Sequence, residues 1–404
     1  MRYLVNNARL VDSSGEHDNR ALIVDGQQIE SVDPTDAEGL AEINAAGLIV
    51  TPGFVDVHTH GGGGFNLHTP NPDEIRSFSR WAPSTGTTSY LVGVVGVPGG
   101  LPAEQIGAAV QAIKIPGKVG AEALGIHLEG PYMSPERRGA HDPSWLRTPS
   151  AAETSELLDL VQGTLRLITL APELAEAHAL VRELVAAGVT VSLGHSDATY
   201  EQSRQAIQLG ITHATHCFNA MRPLHHREPG PLGAIVEAPT VRGELIADGV
   251  HVHPAALRVL IRALGPERTI IVTDALACAG VQNATFTFAG QTAQVIDGVA
   301  RLADGTITGS VLTMDQALRN LVTLLELPLH QAVGMLTVNP AYSAGSAHRK
   351  GRLAAGYDAD LLLFDQDLRL QATICRGALA WSAEEIRPRL APLLADERPK
   401  PDAA

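Results

Sequence analysis

The chain is poor in several things, and each scarcity excludes something. Its three cysteines, Cys217, Cys278 and Cys375, stand far apart and without CxxC spacing, which argues against a disulfide framework and a zinc ribbon. No run of about 18 uninterrupted apolar residues is present, so no membrane-spanning helix is expected. The N-terminus, MRYLVNNARLVDSSGEHDN, puts polar residues where a secretory signal needs its apolar core, and a cytoplasmic location is expected. Positive charge is also short: the formal net charge is −14, which speaks against nucleic acid as a partner. An anionic substrate would have to be held by a few local cations. Lysine is confined to Lys114, Lys118, Lys350 and Lys400. No internal repeat or low-complexity tract is apparent.

What remains is a globular composition, 45% hydrophobic over 404 residues, enough for one large domain and a smaller one. Residues 1–51 read as short strands, with a tight turn at Gly26. From Pro52 apolar strands alternate with amphipathic helical segments. The strands are expected at 54–60, 87–95, 122–130, 165–173, 189–196, 211–219, 243–251 and 268–275. The helical segments include PDEIRSFSRWAPSTG, EAHALVRELVAAG, TYEQSRQAIQLG and HPAALRVLIRALG. Thr199 with Gln202 makes a capping-box pattern, and Gly188, Gly210 and Gly265 stand where helices should end.

This alternation predicts an α/β fold, a (β/α)8 TIM-like barrel over 52–345, with a β insertion at about 283–305 over its mouth. Residues 346–385 return to strands and are expected to complete, with 1–51, a small discontinuous β-sandwich built from both chain ends. Residues 386–404 are expected to form a C-terminal tail, disordered from Asp396 to Ala404.

Within PGFVDVHTHGGGG, His58 and His60 are two residues apart at a predicted strand end, so both point one way and can converge on one metal ion. The glycines that follow allow a sharp turn close to whatever binds. Five other strands deliver such a residue at the same end: Glu129, His195, His216, His251 and Asp274. Imidazole nitrogen and carboxylate oxygen suit Zn2+, Fe2+ or Mn2+. A divalent ion there acidifies water toward neutral pH, and a neighbouring carboxylate, for which Asp274 is the candidate, can move the proton. Other histidines read as packing. His213 has the wrong parity for the mouth, and His127 lies deeper than Glu129, so both are assigned to the core or to supporting hydrogen bonds. His225 and His226 read as loop residues, and Cys217 as a small buried apolar group facing away from the mouth.

These motifs together resemble the amidohydrolase superfamily: PGFVDVHTH, the histidines ending strands five and six, the strand-eight aspartate, and the closing GRLAAGYDADLLLFD. HLEGPYMSPERRGAHDP, LGHSDATYEQ, ATHCFNAMRPLHHREPGPLGA, IADGVHVHP, IIVTDALACAG and TITGSVLTMDQALRNLV narrow the resemblance to its N-acetylglucosamine-6-phosphate deacetylase family, along essentially the whole chain. The resemblance implies hydrolysis of a sugar-phosphate acetamide in amino-sugar catabolism or cell-wall recycling. It implies a divalent metal, Zn2+ or Fe2+, on Glu129, His195 and His216, with Asp274 as the catalytic acid/base. No lysine falls on a barrel strand, so the carbamylated lysine that bridges two metals in other superfamily members has no counterpart, and Glu129 stands in its place. Some relatives lack the strand-one histidines. This chain keeps both, which implies a second ion at His58, His60, Glu129 and Asp274. Substrate contacts are implied at Ala140, His141, Asn219, Ala220, Arg227, Asp248, His251, Ile307, Thr308 and Gly309. Arg227 is implied to reach the neighbouring site of a homodimer. The competing readings are a deacetylase for the galactosamine epimer, another amidohydrolase such as a D-aminoacylase, and a non-catalytic sugar-phosphate-binding regulator.

Overall fold

A computed structural model describes residues 1–117, 119–281 and 285–394. Eight parallel strands form the central sheet, in chain order around the barrel: Phe54–Asp56, Thr87–Val95, Glu122–Glu129, Leu165–Leu170, Thr190–Leu193, His213–Ala214, Arg242–Ile246 and Thr269–Val272. The second strand, TTSYLVGVV, is buried at every position, as expected where side chains fill the barrel on one face and helices cover the other. The helices follow the predicted segments: Pro72–Trp81, Ala177–Ala186, Tyr200–Gln208 and Pro254–Leu264. Thr199 and Gln202 form the predicted capping box, satisfying backbone N–H groups at both ends of the exchange.

Backbone hydrogen bonds between the first and eighth strands' extensions close the barrel. Asp274 N donates to His58 O (2.8 Å), and His60 N donates to Ala275 O (2.8 Å). The seam is reinforced by Asp56, which accepts from the Thr273 hydroxyl (2.6 Å) and from the His58 amide (3.3 Å).

Both chain ends share a second, eight-stranded sheet. Leu361–Phe364 pairs antiparallel with Ile49–Pro52, and Ile49–Val50 runs parallel to Arg9–Leu10. Its far ends meet as well. Ile29 N donates to Tyr357 O (2.8 Å), and a Cβ at Gly377 would stand 2.0 Å from Gly26 O, an approach only glycine permits. The sheet thereby folds over its own core of Tyr3, Val5, Ile29, Ile43, Leu361 and Ile374, the expected sandwich.

Three antiparallel strands, Thr285–Phe288, Gln291–Ile296 and Val299–Leu302, form the insertion. It leans on the mouth through Phe288, 5.2 Å from the His60 ring, and through Gln291, whose amide donates to Ala140 O (2.9 Å).

Two expectations are corrected. Residues 386–394 are not tail: Ile386, Leu390 and Leu393 are buried in the sandwich core, because an apolar spacing of three to four residues gives two short helical turns an inward face. The remainder of the predicted tail, 395–404, lies outside the described residues. Several barrel strands are also shorter than the apolar runs suggested. The first stops at Asp56, before the histidines, and the sixth holds only His213 and Ala214.

Candidate active site

The strand ends deliver the site, but through loops. His195, His216 and Asp274 each lie two residues beyond their strands, with φ of 48°, 24° and 47°. Left-handed backbone at residues other than glycine is uncommon and costs about 1–3 kcal/mol, and such strain collects at functional sites. It also turns the three side chains inward after the strand has ended. His58 and His60 follow the first strand in a loop that passes close to the second. A Cβ at Gly93 would stand 2.2 Å from Thr59 O and 2.8 Å from His60 Nδ1, so this strand position has no room for a side chain.

Glu129, the last residue of the third strand, is the hub. Its Oε1 lies 3.1 Å from His195 Nε2, 3.2 Å from His216 Nε2 and 3.4 Å from His58 Nε2. Its Oε2 lies 3.1 Å from His60 Nε2 and 3.4 Å from His141 Nε2. Asp274 Oδ1 is 3.4 Å from both His58 Nε2 and His60 Nε2. Overlapping groups of donor atoms result: His58 and His60 with Asp274, Glu129 with His58 and His216, and Glu129 with His141 and His195, while the Nε2 atoms of His195 and His216 both face Glu129 Oε1.

The donor chemistry fits a divalent ion. His195 Nδ1 must carry its proton, since it donates to the Arg137 carbonyl (2.9 Å), and burial pushes its pKa down to about 4. Its Nε2 therefore presents a lone pair, and it faces His216 Nε2 at only 3.0 Å, a contact between two imidazole nitrogens that an intervening cation would satisfy. His58 Nε2 is buried and has no hydrogen-bond partner within the described residues. Burial pushes the Asp274 carboxyl up, but His58 and His60 outweigh it and hold it below the ordinary carboxylate range.

One cavity joins this cluster to the predicted substrate positions. His60, Glu129, His195, His216 and Asp274 line it together with Ala140, His141, Asn219, Ala220, His251, Ile307, Thr308 and Gly309. Asp248 lies behind His251, accepting from its Nδ1 (2.6 Å). Burial pushes the His251 pKa down, but Asp248 outweighs it and raises it above the usual value. Arg227 does not line the cavity of its own chain. It is exposed, and its guanidinium donates to His226 Nε2 (2.8 Å). His213 and His127 are buried supports: His213 Nε2 is 2.8 Å from Glu244 Oε1, and His127 Nε2 is 2.8 Å from Thr169 Oγ1. Cys217 is buried too.

Sequence reasoning missed Glu244, inside the seventh strand and wholly buried. Its Oε2 accepts from His58 Nδ1 (2.9 Å) and from the His216 amide (3.1 Å), and its Oε1 from His213 Nε2 (2.8 Å). The available signal was a lone carboxylate within an apolar run, GELIA, where burial demands partners. Trp145, Leu276 and Phe288 were also missed as cavity walls.

A closed parallel barrel whose C-terminal mouth gathers imidazoles and carboxylates around one cavity defines a hydrolase scaffold suited to a divalent cation. Residues 49–380 match the amidohydrolase family, and the chain belongs to it. It is 33% identical over 383 residues to the N-acetylglucosamine-6-phosphate deacetylase of Lysinibacillus sphaericus, covering 93% of this chain and 97% of the relative. It is 35% identical, over 94% of this chain and 100% of the relative, to the N-acetylgalactosamine-6-phosphate deacetylase of Escherichia coli O157:H7. Among solved structures, the N-acetylglucosamine-6-phosphate deacetylase of Pasteurella multocida superposes with a TM-score of 0.89 at 31% identity, covering 95% of this chain and 100% of that one. An aspartate-to-alanine mutant of the Mycobacterium smegmatis enzyme, in complex with N-acetyl-D-glucosamine-6-phosphate, does so with a TM-score of 0.88 at 36% identity, covering 94% and 100%.

Proposed function

We propose that the chain is an amide hydrolase that converts N-acetyl-D-glucosamine 6-phosphate and water to D-glucosamine 6-phosphate and acetate. The observation that supports this most is one cavity in which Asp274 and the Glu129–His195–His216 cluster face the sugar-contact positions His141, Asn219, His251 and Thr308.

Glu129, His195 and His216 would hold a divalent ion, with a second at His58, His60, Glu129 and Asp274. When bound, such an ion supplies Lewis acidity, polarising the acetamide carbonyl and easing deprotonation of water. Asp274 takes the proton as the water oxygen bonds to the carbonyl carbon. It then gives that proton to the sugar nitrogen as the carbon–nitrogen bond breaks, so acetate leaves and the amine remains on the sugar. His141, on the cavity wall, serves the acetyl carbonyl or a sugar hydroxyl. Asp248 fixes His251 Nδ1 and leaves Nε2 for substrate. The phosphate needs a cation, and Arg227 does not line its own cavity. In this reading Arg227 reaches the partner's site in a homodimer. The division into a barrel over 52–345 and a β unit from both ends belongs to the same reading, as does a cytoplasmic location. Among the described residues no helix is long and apolar enough to cross a membrane.

The near-equal identity to a galactosamine-epimer enzyme supplies the second reading. Acetate release on both 6-phospho-N-acetylhexosamines and on unphosphorylated N-acetylglucosamine tests the proposal. The expected order of kcat/KM puts the phosphorylated gluco epimer first. A higher value for the galacto epimer would transfer the assignment to it, and equal values with and without phosphate would remove phosphate recognition.

A further inference from the structure

Glu244 plays no part in the chemistry above, yet it is a carboxylate with no exposure at the centre of the barrel. Burying an ionised carboxylate is costly unless its oxygens are filled. Both are filled, and the two partners of Oε2 belong to the metal cluster. The His58 Nδ1–H and the His216 amide share Oε2 (2.9 and 3.1 Å), and His213 Nε2 holds Oε1 (2.8 Å), itself backed by Ser343 Oγ at 2.8 Å from Nδ1. The backbone takes part as well, since Cys217 N donates to Glu244 O (2.8 Å). A carboxylate can only accept from His58 Nδ1, so a proton resides there and Nε2 is the nitrogen able to give its lone pair to an ion. That Nε2 is among the buried atoms that find no hydrogen-bond partner within the described residues, and it lies 3.4 Å from both Glu129 Oε1 and Asp274 Oδ1.

We propose that Glu244 is the positioning residue for the His58 side of the cluster: it fixes the tautomer and aim of His58 as a metal ligand. This rests on the reading above that a second ion binds at His58. A supporting carboxylate of this kind is worth about 10–100-fold in metal affinity.

The test is Zn2+ titration of the metal-free full-length protein by calorimetry, in the native chain and in Glu244→Gln, His58→Asn and the double variant. The native chain is expected to take two ions and His58→Asn one. Glu244→Gln should weaken the second ion by about 10–100-fold and leave the first unchanged, and adding it to His58→Asn should do nothing more. A Glu244 that merely fills the core would instead lower thermal stability and leave both affinities alone. If the native chain takes one ion, the second-ion reading fails and the proposal falls with it. Two ions in the native chain, one in His58→Asn and two of undiminished affinity in Glu244→Gln would overturn the proposal alone. Should Glu244→Gln fail to fold, 15N histidine spectra of the native Zn2+-loaded protein decide. A proton retained on His58 Nδ1 supports the proposal, and a deprotonated Nδ1 overturns it.

Discussion

Replacing Lys350 by methionine should loosen the joint between the barrel and the β unit. Lys350 is 1% exposed, and its ammonium lies 2.9 Å from Glu122, 2.8 Å from Asp358 and 2.7 Å from Asp360. Arg349 grips Glu122 with two bonds (2.7 and 2.9 Å), and Arg376 reaches the same carboxylate at 3.4 Å. Three cations thus face three carboxylates, and methionine, of similar length, leaves one buried negative charge unmatched. Two routes give the size of the effect. Burial pushes the Lys350 pKa down, the three carboxylates outweigh it, and the net rise to about 12 is worth about 2 kcal/mol. Burial likewise pushes Glu122 up, but Arg349 and Lys350 bring it down to about 2, worth about 3 kcal/mol. The glutamate's figure is larger because it has two strong cationic partners, so the lysine's is the better guide to this substitution. Removing one partner of a buried pair costs about 3–5 kcal/mol in general, so a loss of about 2–4 kcal/mol is expected. Urea unfolding at pH 7 followed by circular dichroism measures it, and hydrogen exchange should show residues 358–377 opening first. A loss below about 1 kcal/mol, the worth of an exposed pair, would refute the reasoning.

Acid should act on the same joint. Because the Glu122 pKa is depressed, its contribution is fully present above about pH 4.5 and is lost as the pH falls toward 2. Native stability should therefore drop more steeply across that window than that of Glu122→Gln, as urea midpoints measured at successive pH values would show. Asp274→Asn should bind the phosphorylated sugar in calorimetry while releasing acetate about 10^2–10^4 times more slowly, and a near-normal kcat would remove the acid/base role. Arg227→Ala should raise KM for the phosphorylated sugar with little change for the unphosphorylated one. Mixing it with Asp274→Asn should restore activity if Arg227 crosses between subunits, because one site of a mixed dimer then has both groups. Absence of rescue would confine Arg227 to its own chain.

Much of this was legible in the sequence because it is written in local patterns. The alternation of apolar runs with capped helices predicts the barrel, and the HxH pair, HLEGP and SLGHSD mark its mouth. Parity along a strand was a weaker guide than it looked. His195, His216 and Asp274 point inward from left-handed backbone past the strand ends, where alternation no longer applies. Glu244 was illegible for another reason. A single buried carboxylate acquires meaning only from His58, His213 and His216, which lie far from it along the chain. The inward face of residues 386–394 was hidden by their charged and proline-rich context.

The seam between the first and eighth strands implies an order of assembly. Glu129, His195 and His216 come from strands three to six, so their site can exist once the middle of the barrel has paired. The His58–His60–Asp274 group joins residues from opposite ends of the barrel, and the bonds that align it, Asp274 N to His58 O and His60 N to Ala275 O, are those that close the ring. Contacts that span so much chain carry a large loop-closure entropy and form late. During synthesis the Glu129–His195–His216 cluster can assemble in a barrel still open, whereas the His58–His60–Asp274 group needs a finished one.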